Sequence, residues 1–193
     1  MPCIATAKQG RSWRCPRNNR AKGDETRPGG PRAWSQNWKK DVKKIIFLAG
    51  PPAAGKSTVR LARWADMPVV DPDLIKERIP GYDPKRPEGV HKASKRLARE
   101  QFTRLIEEGV SFVYDTTSSN VGRVRREIEE ARQAGYRIVL CLVWAPLSTC
   151  LARNRQRPRT VPEEVVVSIW HEVEAAWREI SPLGDEVLKV ING

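Results

Sequence analysis

The order of apolar and polar positions after residue 43 alternates between two patterns. Short apolar runs, which are typical of buried strands, cover residues 44–49, 67–71, 111–115, 137–144 and 186–191. Between them apolar residues recur every three or four positions, as in amphipathic helices, over residues 57–65, 72–79, 90–108, 121–133, 147–156 and 162–180. Strands that alternate with helices predict an α/β fold, in which helices cover both faces of a parallel sheet.

Residues 1–43 lack this periodicity and are rich in Arg, Pro, Gly and Asn. They contain 11 of the 35 Lys and Arg residues but only 3 of the 23 Asp and Glu residues, so most of the net charge of +12 lies here. A segment of this composition cannot bury enough surface to offset the entropy lost on ordering. We predict a disordered basic tail at 1–43 and one folded domain at 44–193. The first interpretation of the tail is an inert leader; the alternatives are a segment that contacts nucleic acid, an organelle-targeting segment and an upstream, normally untranslated stretch.

The composition also argues against several classes of protein. No apolar run approaches the length of a membrane span, and the first residues lack the apolar region of a secretory signal. The four cysteines show neither C-x-x-C pairs nor the dense spacing of disulfide-rich secreted domains. A cytoplasmic protein without a membrane partner is therefore expected.

A glycine-containing loop separates the first predicted strand from the first predicted helix. It matches G-x-x-x-x-G-K-[S/T], the Walker A phosphate-binding loop, whose glycines let backbone N–H groups point at an anion. In such a loop Lys56 reaches the outer phosphates and the Ser57 hydroxyl holds Mg²⁺. The sequence therefore predicts that ATP and Mg²⁺ bind here. The predicted nucleotide-binding residues are Gly50, Pro51, Pro52, Ala53, Ala54, Gly55, Lys56, Ser57 and Thr58.

Acidic side chains follow the second and third predicted strands. Asp71 precedes Pro72, which is the pattern of a helix N-cap with proline at the first helical position. Asp73 is not needed as the cap, so we predict that it is the general base for an acceptor hydroxyl. Asp115 ends the third strand, at the same predicted edge of the sheet. Whether Asp115 holds Mg²⁺ through water, caps the next helix or contacts the acceptor stays open.

An arginine-rich run lies near the end of the predicted helix 147–156. Arg153 and Arg157 are four positions apart, which places them on one helix face, and Pro158 breaks the helix just after them. A charged segment that ends in such a break is typical of a movable lid between two helices. We predict that Arg153 and Arg157 clamp phosphate groups.

Four segments carry a resemblance to known enzymes, namely residues 50–58, 71–76, 114–120 and 153–162. Together they resemble the P-loop kinases that include phage-type polynucleotide 5′-kinase and the zeta toxins, and the resemblance covers about residues 43–192. It implies a three-layer P-loop NTPase sandwich with an Arg-rich lid, and ATP-dependent transfer of a phosphoryl group to a hydroxyl. It also implies that Asp73 is the base, that Arg153 and Arg157 clamp phosphates, and that Asp115 with Thr117 faces the acceptor.

The resemblance leaves more than one acceptor open. The Val-Pro pair after the lid is most like polynucleotide kinase, so a nucleic-acid 5′-OH is preferred, with Lys76 expected to contact the acceptor. Residues 89–98 are more like zeta toxins, which phosphorylate a UDP-amino sugar. Lys76 stands where the phage-type kinase has arginine, and Asp115-Thr116-Thr117 stands where zeta toxins have Glu-Gly-Thr. The alternatives are UDP-N-acetylglucosamine as acceptor, with an antitoxin as partner, and a non-catalytic NTP-binding nucleic-acid adaptor.

Overall fold

A computed structural model describes residues 42–83, 87–157 and 160–192. These residues belong to one compact unit, residues 39–193. The predicted basic tail lies outside the described residues apart from positions 42 and 43, and so does the predicted break at Pro158, so both stay predictions. Within the described ranges, no helix combines the length and apolarity that a membrane crossing requires.

The secondary structure follows the predicted alternation. The strands are β1 (Lys44–Ala49), β2 (Val69–Val70), β3 (Phe112–Asp115), β4 (Arg137–Trp144) and β5 (Glu186–Ile191). The helices are α1 (Lys56–Trp64), α2 (Pro72–Lys76), α3 (His91–Glu107), α4 (Val121–Gln133), α5 (Leu147–Arg155) and α6 (Glu163–Ile180). In the described residues the strands form one sheet in the order β2-β3-β1-β4-β5, and every neighbouring pair is parallel. The predicted α/β fold with a parallel sheet is confirmed.

Strand β1 lies at the centre of the sheet and is buried on both faces. Because successive side chains of a strand point to opposite faces, Ile45 and Phe47 pack with residues of α3 and α4, while Ile46 and Leu48 pack with residues of α1 and α5. Leu48 pairs with Asp115 of β3 on one side and with a β4 residue on the other. The ends of β1 and β3 therefore lie side by side at one edge of the sheet, where the loop after β1 also begins.

Two elements are shorter than their sequence pattern predicts, and prolines account for both. Strand β2 begins only after Pro68, which accepts a hydrogen bond from Val113 N (2.9 Å) but has no N–H to donate. Helix α2 ends at Lys76 instead of residue 79, because the chain tightens into i→i+3 turns before Pro80. In addition, short 3₁₀ turns occur at Pro87–Val90, just before α3, and at Ser181–Leu183, just after α6.

Candidate functional site

The loop between β1 and α1 has a backbone that only small residues permit. Gly50 has φ +151°, and a Cβ added there would lie 2.3 Å from the backbone oxygen of Val143. Gly55 has φ +96° and precedes the first residue of α1, and Ala53 also lies in the left-handed region with φ +62°. These conformations curl the chain around a space in front of α1, which is the cradle that a phosphate requires.

Lys56 and the start of α1 give this cradle a positive character. The Lys56 ammonium donates hydrogen bonds to the backbone oxygens of Gly50 (3.0 Å) and Pro51 (3.3 Å), so the side chain lies back across its own loop. Ser57 is exposed in the first turn of α1, which contains no acidic residue. The helix N-terminus and the Lys56 charge therefore act on the same space, as anion binding requires.

The acidic pair after β2 has two separate roles in the structure. The Asp71 carboxylate accepts hydrogen bonds from the backbone N–H of Asp73 (2.8 Å) and of Leu74 (3.4 Å), so Asp71 caps α2 as the Asp-Pro pair predicts. The Asp73 side chain is not the cap and is 61% exposed. Lys76 Nζ lies 2.9 Å from Asp73 Oδ1, and the Lys76 side chain is only 7% exposed. Lys76 is thus held against Asp73 within α2.

Several charged groups surround Asp115 at the carboxyl end of β3. Its side chain is 5% exposed, and burial raises its pKa to about 6. The positive charges of Lys56 and Arg60 oppose this shift, whereas the negative charges of Asp71 and Asp73 add to it. Arg60 Nε lies 3.8 Å from Asp115 Oδ2. The structure therefore brings the predicted phosphate-binding lysine and the predicted base within electrostatic range of Asp115.

The turn after Asp115 is joined to the phosphate loop. Gly50 N donates a hydrogen bond to Thr117 O (3.4 Å), and Thr116 N donates one to Leu48 O (3.2 Å). The Thr116 hydroxyl accepts a hydrogen bond from Ser118 N (3.1 Å), which holds Ser118 at a positive φ of 55°. Thr117 therefore lies beside the phosphate loop, and its contact with an acceptor stays a prediction.

The predicted lid differs from its sequence pattern in one respect. Helix α5 ends at Arg155, so Arg157 lies beyond the helix and does not share a helix face with Arg153. The prediction of a common face was wrong because Arg157 N donates to Asn154 O (3.2 Å), an i→i+3 turn that closes the helix. Arg155 instead forms a two-point contact with Glu163 at the start of α6, at 2.6 and 3.0 Å.

The charges of Arg153 and Arg157 act on the same region as Lys56. Burial raises the pKa of the Cys150 thiol, and the charges of Arg153, Lys56 and Arg157 all oppose that shift. Neither arginine forms a salt bridge to any residue that the structure describes.

Comparison with known proteins assigns the family. The family model described as Zeta toxin matches residues 33–191. The chain belongs to the zeta toxin family. The L-seryl-tRNA(Sec) kinase of Methanococcus maripaludis is 26% identical over 137 residues, which cover 67% of this zeta toxin family member and 52% of that kinase.

Solved structures show a shared P-loop kinase fold. A chain of the crystal structure of AvrRxo1-ORF1:-ORF2 with ATP is 23% identical to this family member, with a TM-score of 0.62. The match covers 72% of this family member and 50% of the solved chain. The PezAT toxin–antitoxin system of Streptococcus pneumoniae is 16% identical with a TM-score of 0.62, over 79% of this chain and 69% of that one. The chain spans about half the length of the Methanococcus kinase and of the AvrRxo1 chain.

Three further residues of this zeta toxin family member contact the site, and the sequence analysis did not predict them. Arg60 lies one helical turn after Lys56, and that spacing could have identified it as a charged neighbour of the loop. Asn154 is 1% exposed, donates to Val161 O (2.7 Å) and accepts from Val161 N (3.0 Å), so it closes the base of the lid. Asn192 donates to Ala54 O (3.0 Å) and ties the end of β5 to the phosphate loop.

Proposed function

We propose that this protein transfers the γ-phosphate of ATP to a hydroxyl group of an acceptor molecule. The observation that carries the proposal is the convergence of Lys56, Asp73 and Asp115 at the carboxyl edge of the sheet, next to a loop shaped to hold phosphates. A transferring phosphoryl group needs a cradle, positive charge on its oxygens and a group that takes the acceptor proton. Membership of the zeta toxin family supports the same chemistry.

The proposed step assigns one task to each side chain. Asp73 accepts the proton of the acceptor hydroxyl while the hydroxyl oxygen forms a bond to the γ-phosphorus. The bond from the γ-phosphorus to the oxygen that bridges it to the β-phosphorus breaks, and ADP leaves. Lys56 leaves its loop carbonyls for the β and γ phosphate oxygens, and Arg153 with Arg157 stabilises the charge that is spread over the transferring group.

The residues present also fit a magnesium ion. When bound with the nucleotide, Mg²⁺ neutralises phosphate charge during transfer. The Ser57 hydroxyl and the Asp115 carboxylate are hard oxygen donors of the kind that this ion prefers. In the part of the chain that the structure describes, no group of three or more His, Cys, Asp and Glu side chains could hold a metal ion. We therefore propose that Mg²⁺ arrives with ATP, whose phosphates supply further ligands.

Two acceptors share a hydroxyl group and a nearby phosphate. The motifs after the lid favour a polynucleotide 5′-OH. The family match favours a nucleotide sugar, here UDP-N-acetylglucosamine. The contact between Lys76 and Asp73 favours the nucleotide sugar as well. Lys76 stands where the phage-type kinase has an arginine, and its ammonium group is already engaged by Asp73. We therefore place the nucleotide sugar first, and in that case a protein antitoxin, as in the PezAT system, is a proposed partner.

The test is an acceptor screen with γ-labelled ATP and the purified full chain. Parallel reactions contain UDP-N-acetylglucosamine, a 5′-OH oligonucleotide or no acceptor, and Lys56→Ala serves as the inactive control in each. We expect label on one acceptor with the wild type and none with Lys56→Ala. Slow ATP hydrolysis that no acceptor changes, together with oligonucleotide binding that removal of residues 1–43 abolishes, would favour the nucleic-acid adaptor instead.

A further inference from the structure

A groove with a volume of about 390 Å³ lies between α3 and α4. This volume is within the range of pockets that hold small molecules. Its charged lining residues are Lys95, Arg99, Arg123, Arg126, Glu127 and Glu130. Basic side chains outnumber acidic ones in this lining, so the groove favours an anionic ligand.

The groove begins beside the proposed transfer site. Its lining includes Pro72, which stands between Asp71 and Asp73, and Tyr114, which directly precedes Asp115. A ligand in the groove therefore contacts the first residue of α2, which directly precedes the proposed base in the chain. This position suits the part of an acceptor that lies behind its reacting hydroxyl.

Glu127 is a buried acid at the groove whose hydrogen bonding is incomplete. Its side chain is 5% exposed, and its Oε1 accepts a hydrogen bond from the Tyr114 hydroxyl (2.9 Å). Its other oxygen, Oε2, is buried and has no hydrogen-bond partner among residues 42–83, 87–157 and 160–192. Buried carboxylate oxygens are rarely left in this state, so a donor from outside the described residues is expected here.

The basic residues of the groove are not all engaged with its acids. Arg99 forms a salt bridge with Glu130 across the groove. Arg123 Nε lies 3.8 Å from Glu127 Oε1 but makes no hydrogen bond within the described part of the chain. Arg126 is exposed and forms no salt bridge to a described residue. Two guanidiniums thus retain donors for an anion.

We propose that the α3–α4 groove binds the phosphate-bearing part of the acceptor, with Arg123 and Arg126 on phosphate oxygens. In the same complex Glu127 Oε2 accepts a hydrogen bond from a hydroxyl or amide N–H of that molecule. The groove thereby selects an acceptor that carries both an anion and a donor. This inference rests on the proposed function, because it names the substrate subsite of the same reaction.

The kinetic test compares two neighbouring arginines of α4. Arg126→Ala removes a groove guanidinium, whereas Arg125→Ala removes the same charge from a side chain that pairs with Glu179 and does not line the groove. We expect Arg126→Ala to raise the KM for the acceptor about tenfold, which is the usual effect of a lost charge-assisted hydrogen bond, while the KM for ATP stays unchanged. Arg125→Ala is expected to leave both constants unchanged.

Equilibrium binding without ATP separates this inference from the proposed function. Arg126→Ala, Arg125→Ala and the isosteric Glu127→Gln are titrated with UDP-N-acetylglucosamine and with a 5′-OH oligonucleotide, after thermal melting has confirmed that each variant folds. If Arg126→Ala and Glu127→Gln lose affinity only for UDP-N-acetylglucosamine, the groove is a nucleotide-sugar subsite. If they lose affinity only for the oligonucleotide, the groove is a nucleic-acid subsite. If the wild type transfers phosphate but Arg126→Ala keeps wild-type affinity for both ligands, the groove assignment is wrong and the kinase proposal stands. If the wild type transfers to no acceptor, the kinase proposal is wrong, and the groove assignment with it.

Discussion

Lys76 Nζ lies 2.9 Å from Asp73 Oδ1, and the two residues are three positions apart on α2. The ammonium group is almost fully buried, whereas the Asp73 side chain is 61% exposed. Asp71 caps the same short helix, so two local contacts fix the direction of α2. The Lys76 contact therefore holds the side chain of the proposed base against α2.

The first prediction concerns Asp73 as the base. Asp73→Asn keeps the size of the side chain but removes its ability to take a proton, so we expect kcat to fall about 100-fold or more. The affinity for ATP should stay within about twofold of wild type, because phosphate binding belongs to the loop and the lid. Steady-state transfer assays and nucleotide titrations measure the two quantities.

A matched control for this variant is Asp66→Asn. Asp66 is an exposed aspartate just after α1 and outside the proposed machinery, so its loss should leave kcat unchanged. Transfer by Asp73→Asn at the wild-type rate would show that another group takes the acceptor proton.

Local sequence patterns were sufficient for most of the fold. The phosphate loop is recognisable because its chemistry resides in nine consecutive residues, 50–58. Strands β1, β3 and β4 are recognisable because they are buried on both faces. The N-cap at Asp71 could be predicted for the same reason, since the cap, the proline and the helix are adjacent in the chain.

Features that depend on distant residues could not be predicted in this way. Asn192 contacts Ala54 across 138 positions, and no local pattern relates these two residues. The common face of Arg153 and Arg157 was wrong because the chain leaves α5 after Arg155, next to Asn154, which binds Val161 seven positions further along. Likewise, the groove beside Glu127 exists only because α3 and α4 pack on the same face of the sheet.

The second prediction tests the shape of the phosphate loop. Gly50→Ala places a Cβ 2.3 Å from the backbone oxygen of Val143, at a φ that alanine rarely adopts. Because backbone cannot move aside as a flexible side chain can, we expect the free energy of unfolding to fall by at least about 2 kcal/mol. Urea denaturation without nucleotide measures this change.

Gly122→Ala is the control for the same substitution. Gly122 lies in the first turn of α4, where an added Cβ makes only ordinary contacts at 3.8 Å. Alanine is the better helix former, so the free energy of unfolding should rise by up to about 1 kcal/mol. Equal destabilisation by both substitutions would argue against a special role for the Gly50 backbone.

The third prediction concerns the base of the lid. Asn154→Ala removes the side-chain N–H that donates to Val161 O and the side-chain oxygen that accepts from Val161 N. The backbone N–H and C=O of Val161 then lack these partners. We expect the free energy of unfolding to fall by about 1–3 kcal/mol and the KM for ATP to rise, since Arg153 and Arg157 lose the turn that positions them. Denaturation curves and transfer assays provide the two readouts.

Arg155→Ala controls for a general loss of charge in the lid. Arg155 contacts Glu163, but both side chains are exposed, and such pairs contribute little to stability in water. The stability and the KM for ATP of this variant should therefore stay close to wild type. A larger effect from Arg155→Ala than from Asn154→Ala would mean that the Arg155–Glu163 pair, rather than the amide, holds the lid.

The last prediction concerns the pH dependence of stability. Burial raises the pKa of Asp115 from its ordinary value of 3.8 to about 6, so between these values the folded state binds more protons than the unfolded state. The contribution of Asp115 to the free energy of unfolding must then fall as pH rises from about 4 to about 6. Since one pKa unit corresponds to about 1.4 kcal/mol, the buried Asp115 carboxyl lowers the free energy of unfolding above pH 6 by on the order of 3 kcal/mol.

Asp115→Asn removes this titration while keeping the shape of the side chain. We expect the variant to gain stability over the wild type as pH increases from about 4 to about 7, and the difference to level off above that range. Urea denaturation at several pH values, without nucleotide or Mg²⁺, measures the difference, with Asp66→Asn as the exposed control. A difference that is the same at both ends of the pH range would mean that the Asp115 carboxyl titrates alike in the folded and unfolded states, and that Lys56 and Arg60 fully offset its burial.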